Sequence, residues 1–499
     1  MKKPTPEDIK LFELVAAQAK KSGRKVYLVG GFLRDLFLSR RKDNPDMDFA
    51  VDKGAVSFGR ALNVSLKAGF VVLDRERGCC RLVKKTRSGI TYTLDFSDFR
   101  AAGGIEQDLG KRDFTVNALA VESGFIAAGD LRGHIIDVCG SLADLRAGKI
   151  RLVCPESFDD DPLRIMRAFS LCAIFGFKAD REVLRQAAAK CPALSGVSGE
   201  RVRDELYKIL ESGESYPVLK LMDDKGVLRE ALPEIDVMRG VRQGPYHHLD
   251  VWKHSLESVR QLELLLADLG RHPGLKAYLQ EEIIPGRRRL GLLKLGTLLH
   301  DIGKPAARKR RGHRVIFHGH ELLGARLACR IAERLKLSRI EQDALRKMVF
   351  CHLRPGYLAD NEVVTARAKF RYFRDTAVEA ASIILLSMAD QRSTRGPLTS
   401  DESRAQHERI CGLLLKEYFK ELGRKVLPRL VNGNDLMRRF GLAPSPVIGK
   451  LLAGLEELRA IGRIETREQA FGAASAMLER KAFKKMTEKI YGAKEQRKR

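Results

Sequence analysis

Negative charge is scarce in this chain of 499 residues. Its 64 Asp and Glu stand against 91 Lys and Arg, a formal net charge of +27. A surplus of that size argues against acidic partners and favours a polyanion, because each phosphate neutralised by Lys or Arg releases condensed counterions. Long apolar runs are missing too. No uninterrupted stretch is long enough to cross a bilayer, and the start, MKKPTPEDIK, leads into a mixed, charged helix rather than the apolar core of a signal sequence. The nine cysteines are odd in number and form no CxxC pair. That excludes a disulfide framework or a zinc ribbon and reads as free thiols in a reducing cytoplasm. Adjacent Cys79 and Cys80 read as packing. There is no tandem repeat. The 44% hydrophobic content suffices for ordinary cores, and the length argues for several domains.

The pattern changes once along the chain. Up to about Ile150 it is strand-rich, with expected strands at Val26–Val29, Met47–Val51, Val71–Leu73, Arg81–Val83 and Ile90–Phe96, and a turn-strand pair near Ile135–Val138. From Ser157 onward apolar residues recur at three- and four-residue spacing, the helical period, almost everywhere. Pro192–Gly199 reads as a loop ahead of a helix over Glu200–Leu210. Further breaks fall at Arg239–Pro245 and Arg395–Pro397, and Arg308–Arg314 reads as a basic loop. An αβ head followed by helical segments is an α+β arrangement of separate modules.

The richest stretch is YLVGGFLRDLFLSRRKDNPDMDFAV, Tyr27 to Val51. A β-rich run ends in Gly30-Gly31, Arg34 and Asp35 follow on the first turns of a helix, and Asp46-Met47-Asp48 opens a second strand. Alternation sends Asp46 and Asp48 to one face. Two carboxylates there, with a glycine turn and an arginine nearby, suit a hard divalent cation and a triphosphate. Gly30 and Gly31 let backbone approach phosphates closely, and Arg34 would neutralise them by charge-assisted hydrogen bonds.

The order strand, GG, helix with RD, strand with DxD resembles the head of the class II tRNA CCA-adding enzyme and bacterial poly(A) polymerase family. The resemblance implies a polymerase-β-like nucleotidyltransferase head, a mixed sheet with helices, over residues 1–150. All-helical regions are implied beyond it: a neck and RNA- and base-binding body over 151–243 and a basic C-terminal region over 396–499. It implies template-independent addition of C and/or A from CTP and/or ATP to the 3′ end of tRNA or another RNA, with Asp46 and Asp48 as catalytic ligands of Mg2+. A third carboxylate often joins them in the wider superfamily, and Asp95 is the best-placed candidate; an ordinary strand-end Asp is an equal alternative. Lys111–Ala118 (KRDFTVNA) resembles the RRDxTxNA block, which assigns Arg112, Asp113 and Asn117 to the phosphate and sugar of the incoming nucleotide. On a helix Asp113 and Asn117, four apart, would share a face. Asp160-Asp161-Pro162-Leu163-Arg164 resembles the base-reading EDxxR motif, with Asp160 where Glu is usual. Asp161 and Arg164 would face the same way, and a fixed carboxylate beside a guanidinium accepts then donates. That template suits the edges of C and A and repels the carbonyl oxygens of U and G.

The histidines cluster. Of 11, most fall between His247 and His352. His254, His300-Asp301, His320, His352 and Asp390 follow the H…HD…D order that resembles an HD metal-dependent phosphohydrolase domain, over residues 244–395. The resemblance implies metal ligation by all six, with His320 and His352 serving a second ion, and a transition metal such as Mn2+, Ni2+ or Fe2+. His247, His248 and His318 read as ordinary structural histidines. Phosphate contacts for RNA are expected from Asp161–Arg242 and Asp401–Arg499, including Arg438-Arg439, Arg480-Lys481, Lys484-Lys485 and Arg497–Arg499, with a steep loss of affinity in salt.

One departure bears on specificity. Members of the family that add all of CCA carry a flexible loop ahead of the RRD block. Here only Ala101–Gly110 separates Arg100 from Lys111. A shortened loop resembles enzymes that add the two cytidines only; the expectation is CC addition, or a switch to A by other means. A poly(A) polymerase on the same head, and an RNA-binding HD hydrolase with an inactive head, are the alternatives.

Overall fold

A computed structural model describes residues 3–128, 131, 133–269, 273–312, 314–421 and 429–479. Contacts divide the chain into two compact units, Met1–Glu234 and Ile235–Arg499. The architecture is α+β: a mixed six-stranded sheet lies in the first unit, and later strands are short ladders among helices.

Local chemistry sets the first elements. Helix α1 (Pro6–Ser22) starts at a reciprocal cap in which the Thr5 hydroxyl accepts from the Asp8 N–H and the Asp8 carboxylate accepts from the Thr5 N–H. It ends at Gly23 in the left-handed region. Strand β1 (Val26–Val29) is buried on both faces, as its unbroken apolar run demands. Helix α2 (Gly31–Phe37) leads to β2 (Asp46–Val51), α3 (Ala55–Leu66), β3 (Gly69–Asp74), β4 (Cys79–Lys85) and β5 (Thr91–Asp98). Helix α4 (Ile105–Gly110) and β6 (Ala120–Glu122) complete the layer around a sheet of order β3-β4-β5-β2-β1-β6. Strands β2 and β5 run parallel and the other neighbours antiparallel. Phe49 stacks on Phe96 and Phe58 packs against Phe96, so one face of the sheet is sealed by α3.

Three expectations are corrected. The KRDFTVNA block is not an α-helix. Asp113 bonds its own neighbour's N–H at Phe114, Phe114 bridges to Leu152, and only Thr115–Asn117 turn, as a 3-10 helix. Residues 135–138 form no strand; a single bridge joins Ile136 to Ala120, and the strand beside β1 is β6 instead. The basic loop Arg308–Arg314 is a small hairpin, Lys309–Arg311 pairing with Arg314–Ile316. Arg480-Lys481, Lys484-Lys485 and Arg497–Arg499 lie outside the described residues.

In the second unit, helices Val251–Asp268, Arg289–Leu299, His320–Arg334, Arg339–Cys351 and Ala380–Ser393 pack together. A separate apolar cluster around Leu436, Val447, Leu451 and Leu455 ties the C-terminal helices together. No helix among the described residues is long and apolar enough to cross a membrane.

Candidate functional site

A cleft of about 770 Å³ opens in the first unit on the sheet face that carries Asp48. Gly30 at its floor has φ +75°, and a Cβ there would stand 3.3 Å from the Asp48 carboxylate and 3.4 Å from the Arg112 guanidinium. Glycine is thus required both by conformation and by close approach. Gly31 lies against Arg34, which is buried and donates from Nη1 to Asn117 Oδ1 (2.5 Å) and from Nε to Asp35 (3.0 Å).

Asp46 and Asp48 share a face, as alternation requires, but in different surroundings. Asp46 is exposed, lies outside the cleft lining and pairs with Lys42 at 2.7 Å. Asp48 lies deeper. Burial pushes its carboxyl up; Arg112 opposes this, and neighbouring Asp95 and Asp46 add to the rise. A half-buried carboxylate crowded by two others is a donor set that a hard divalent cation satisfies. Asp95 sits directly opposite Asp48 in the β2–β5 register, gripped by Arg81 through two 2.7 Å bonds.

Arg112 is held by the buried Asp108 through Nε (3.2 Å) and Nη2 (3.0 Å), and the same carboxylate accepts the Arg100 N–H (3.0 Å). Asp113 accepts from Asn117 Nδ2 (3.1 Å) and Arg167 (3.0 Å). Burial works to raise its pKa, and Arg167, Asn117 and the Phe114 N–H overcome it, so it stays charged. The share-a-face expectation for Asp113 and Asn117 holds through this bond, on a tight turn rather than a helix.

The two residues expected to read the base reach the same cleft. Asp161 and Arg164 both line the cleft, but each is set by another partner. Asp161 takes Arg201 at 2.7 Å and the Leu163 N–H at 3.2 Å. Arg164 donates to Ser157 O (3.2 Å) and Oγ (2.9 Å), with Asp160 at 3.7 Å. Arg201, Ser157 and Arg167 were missed from sequence. Arg201 lies forty residues from Asp161, and no local pattern marks such a pairing.

The second unit gathers all six expected ligands. His254, His300 and Asp390 form one group, and Asp301, His320 and His352 another, the ligand atoms within each lying no more than 4.8 Å apart. Asp301 faces both: Oδ2 lies 3.3 Å from His300 Nε2 and 3.6 Å from His254 Nε2, while Oδ1 lies 3.4 Å from His320 Nε2 and 3.8 Å from His352 Nε2. His254 Nε2 stands 2.9 Å from Asp390. Nδ1 of His300, His320 and His352 meets the carbonyls of Thr297, Phe317 and Val349 at 2.7–2.9 Å, which turns every Nε2 inward. Burial works against a charge on His300, but Asp301 and Asp390 push its pKa up to about 10. Burial and His300 drive His352 down to about 3. His300 Nε2 is buried without a hydrogen-bond partner. Inward nitrogens with two carboxylates fit a pair of transition metals. His247 packs 4.7 Å from His254, ring centre to ring centre; His248 and His318 are exposed.

The sheet, its acidic pair and the second cluster define an enzyme with a nucleotidyltransferase head joined to an HD unit. Three family models match in order: "Poly A polymerase head domain" over residues 26–151, "Probable RNA and SrmB- binding site of polymerase A" over 176–238, and "HD domain" over 251–391. The A-adding tRNA nucleotidyltransferase of Deinococcus radiodurans is 32% identical, covering 89% of this chain and 93% of that protein. The CC-adding tRNA nucleotidyltransferase of Thermus thermophilus is 30% identical, covering 90% and 92%. The Thermotoga maritima CCA-adding enzyme complexed with tRNA shares the fold, with a TM-score of 0.61 at 22% identity over 96% and 97% of the two chains. The chain belongs to the tRNA nucleotidyltransferase family. Enzymes with such heads and HD domains generally use divalent metals.

Proposed function

We propose that this chain transfers CMP from CTP to the 3′ end of tRNA lacking its CCA, stopping after two cytidines. The observation that carries the CC reading is the linker before Lys111. Residues 101–110 form a turn and the short helix α4, and Asp108 bonds to Arg100 on one side and Arg112 on the other. A segment pinned at both ends cannot act as the mobile loop that accompanies A addition in the family. Addition of A is the second reading, favoured by the similarity to the A-adding relative. Purified enzyme given tRNA lacking CCA, with CTP and ATP together, decides between them. Products ending at CC support the first reading; efficient addition of the terminal A overturns it, and extension only of tRNA already ending in CC establishes the second.

In this reading Asp46 and Asp48 hold Mg2+, which would polarise the α-phosphate and activate the RNA 3′-hydroxyl. Gly30 and Gly31 admit the triphosphate, and Arg34 and Arg112 neutralise it. Asp113 and Asn117 position the sugar. Asp161 accepts from the cytosine amino group and Arg164 donates to its ring acceptors. Arg201 fixes the acceptor arm, so Arg201→Gln is expected to lower the preference for CTP over UTP about tenfold, ~1.4 kcal/mol. The ratio of kcat/KM values measures it; an unchanged ratio removes Arg201 from base selection. The chain's basic surplus meets the tRNA backbone, and the enzyme works in the cytoplasm beside its substrate.

For the HD unit the reading is a phosphohydrolase centre in which His254, His300 and Asp390 hold one transition metal, His320 and His352 a second, and Asp301 both. Mn2+, Ni2+ or Fe2+ suits these donors and would supply an activated water. Asp301→Ala removes the shared carboxylate. Manganese retained per chain after loading and desalting is expected to fall by both equivalents; retention of one shows that the two triads bind independently.

A further inference from the structure

The sheet face bearing Asp46 and Asp48 continues beyond them. The registers set Asp48 opposite Asp95, Asp95 opposite Arg81, and Arg81 opposite Val71. The adjoining row runs Asp46, Thr93, Val83, Gly69. Leu73 falls at a bulge between Val72 and Asp74, and its exposure matches that of Val71 rather than Val72. On this face Tyr27, Val29 and Ala50, from β1 and β2, are covered by Ile105 and Leu109 of α4. The other end is open: Val71 is 48%, Leu73 53% and Val83 40% exposed, whereas Cys80, Leu82 and Phe96, on the reverse face, are buried. Leu73 lines the same cleft as Asp48. Apolar side chains bared on an edge strand invite aggregation unless something covers them.

The reaction says what that cover is. Gly30, Arg34, Arg112 and Asn117, the groups that suit a triphosphate and its sugar, lie on the β1 side of Asp48. In nucleotidyl transfer the attacking and leaving oxygens are roughly in line, so the acceptor enters opposite the departing pyrophosphate. The acceptor therefore arrives from the β5 side, across β4 and β3. We propose that Val71, Leu73 and Val83 form an apolar platform for the last nucleotides of the acceptor RNA, aliphatic groups lying against base and ribose faces. Three strand spacings of ~4.8 Å separate β2 from β3, about 14 Å, the length of roughly four stacked nucleotides at ~3.4 Å each. Arg75, Arg77 and Lys85 are exposed beside the platform and match a phosphate backbone.

This inference rests on the RNA-extending reading, and wild-type enzyme that extends no RNA would sink that reading first. With wild-type extension in hand, the double variant Val71→Ser/Leu73→Ser is expected to raise the KM for tRNA lacking CCA about tenfold while the KM for CTP stays unchanged. Val64→Ser is the control, a still barer valine (77% exposed) on α3, which covers the reverse face. An RNA KM within twofold of wild type overturns the platform. Should the double variant lose CTP binding through misfolding, crosslinking decides with wild-type protein. A 4-thiouridine placed near the RNA 3′ end is expected to attach within residues 69–85, and attachment elsewhere overturns the proposal.

Discussion

Asp48→Asn is expected to slow CMP transfer on the order of 10³-fold or more, ~4 kcal/mol of lost transition-state stabilisation. The side chain keeps its shape and loses its charge, so a divalent cation held as proposed would lose the more enclosed of its two carboxylates. Stability should not fall with it. Burial, with the neighbouring Asp95 and Asp46, raises the Asp48 pKa against the pull of Arg112, so the folded state gains no net stability from that charge. The measurements are single-turnover transfer and equilibrium CTP binding. Transfer is expected to collapse while CTP affinity, for which Arg34 and Arg112 are the proposed supports, changes less than about tenfold. A variant that keeps a tenth of wild-type activity would remove Asp48 from the chemistry.

The largest stability effect is expected at Asp108, which is 1% exposed and faces Arg112, itself 6% exposed. Asp108→Ala leaves that guanidinium buried without its partner and strips the Arg100 N–H of its acceptor. Breaking a buried pair from one side costs about 3–5 kcal/mol. The single tryptophan, Trp252, lies in the second unit, so its fluorescence follows that unit alone, whereas far-UV circular dichroism follows both. Urea should unfold the first unit earlier by circular dichroism and leave the Trp252 transition in place. Coincident, unshifted transitions would show that Asp108 does not hold the head together.

The legible parts of this molecule were those with a local signal. Strands β1, β2 and β5 announced themselves by apolar runs and alternation, and the DxD face followed from the pleat. The six expected metal ligands of the second unit could be picked out because their order, His, then His-Asp, then Asp, resembles the HD pattern, and the fold brings them into two groups that could each hold an ion. The KRDFTVNA block misled because its centre is buried without a break: Phe114, Thr115 and Val116 are all fully buried, so no face stands out there and the spacing of Asp113 and Asn117 fits a helix as well as a turn. The hairpin at Lys309–Ile316 was hidden for the opposite reason, since Lys309, Arg310 and Arg311 are all exposed and nothing alternates. The partners that aim Asp161 and Arg164 come from elsewhere in the chain or from a backbone carbonyl, and tertiary pairings of that kind leave no periodic trace.

Arg167 contacts Asp113 at 3.0 Å and Glu205 at 3.6 Å, joining the turn proposed to seat the sugar to the helix Gly199–Leu210, which also carries Arg201. A wrong base that displaces Asp161, and with it Arg201 and that helix, would therefore tug on the ribose seat through one guanidinium. On that proposal fidelity would be mechanical as well as chemical: a misfit at the reading edge would become misalignment at the bond being made.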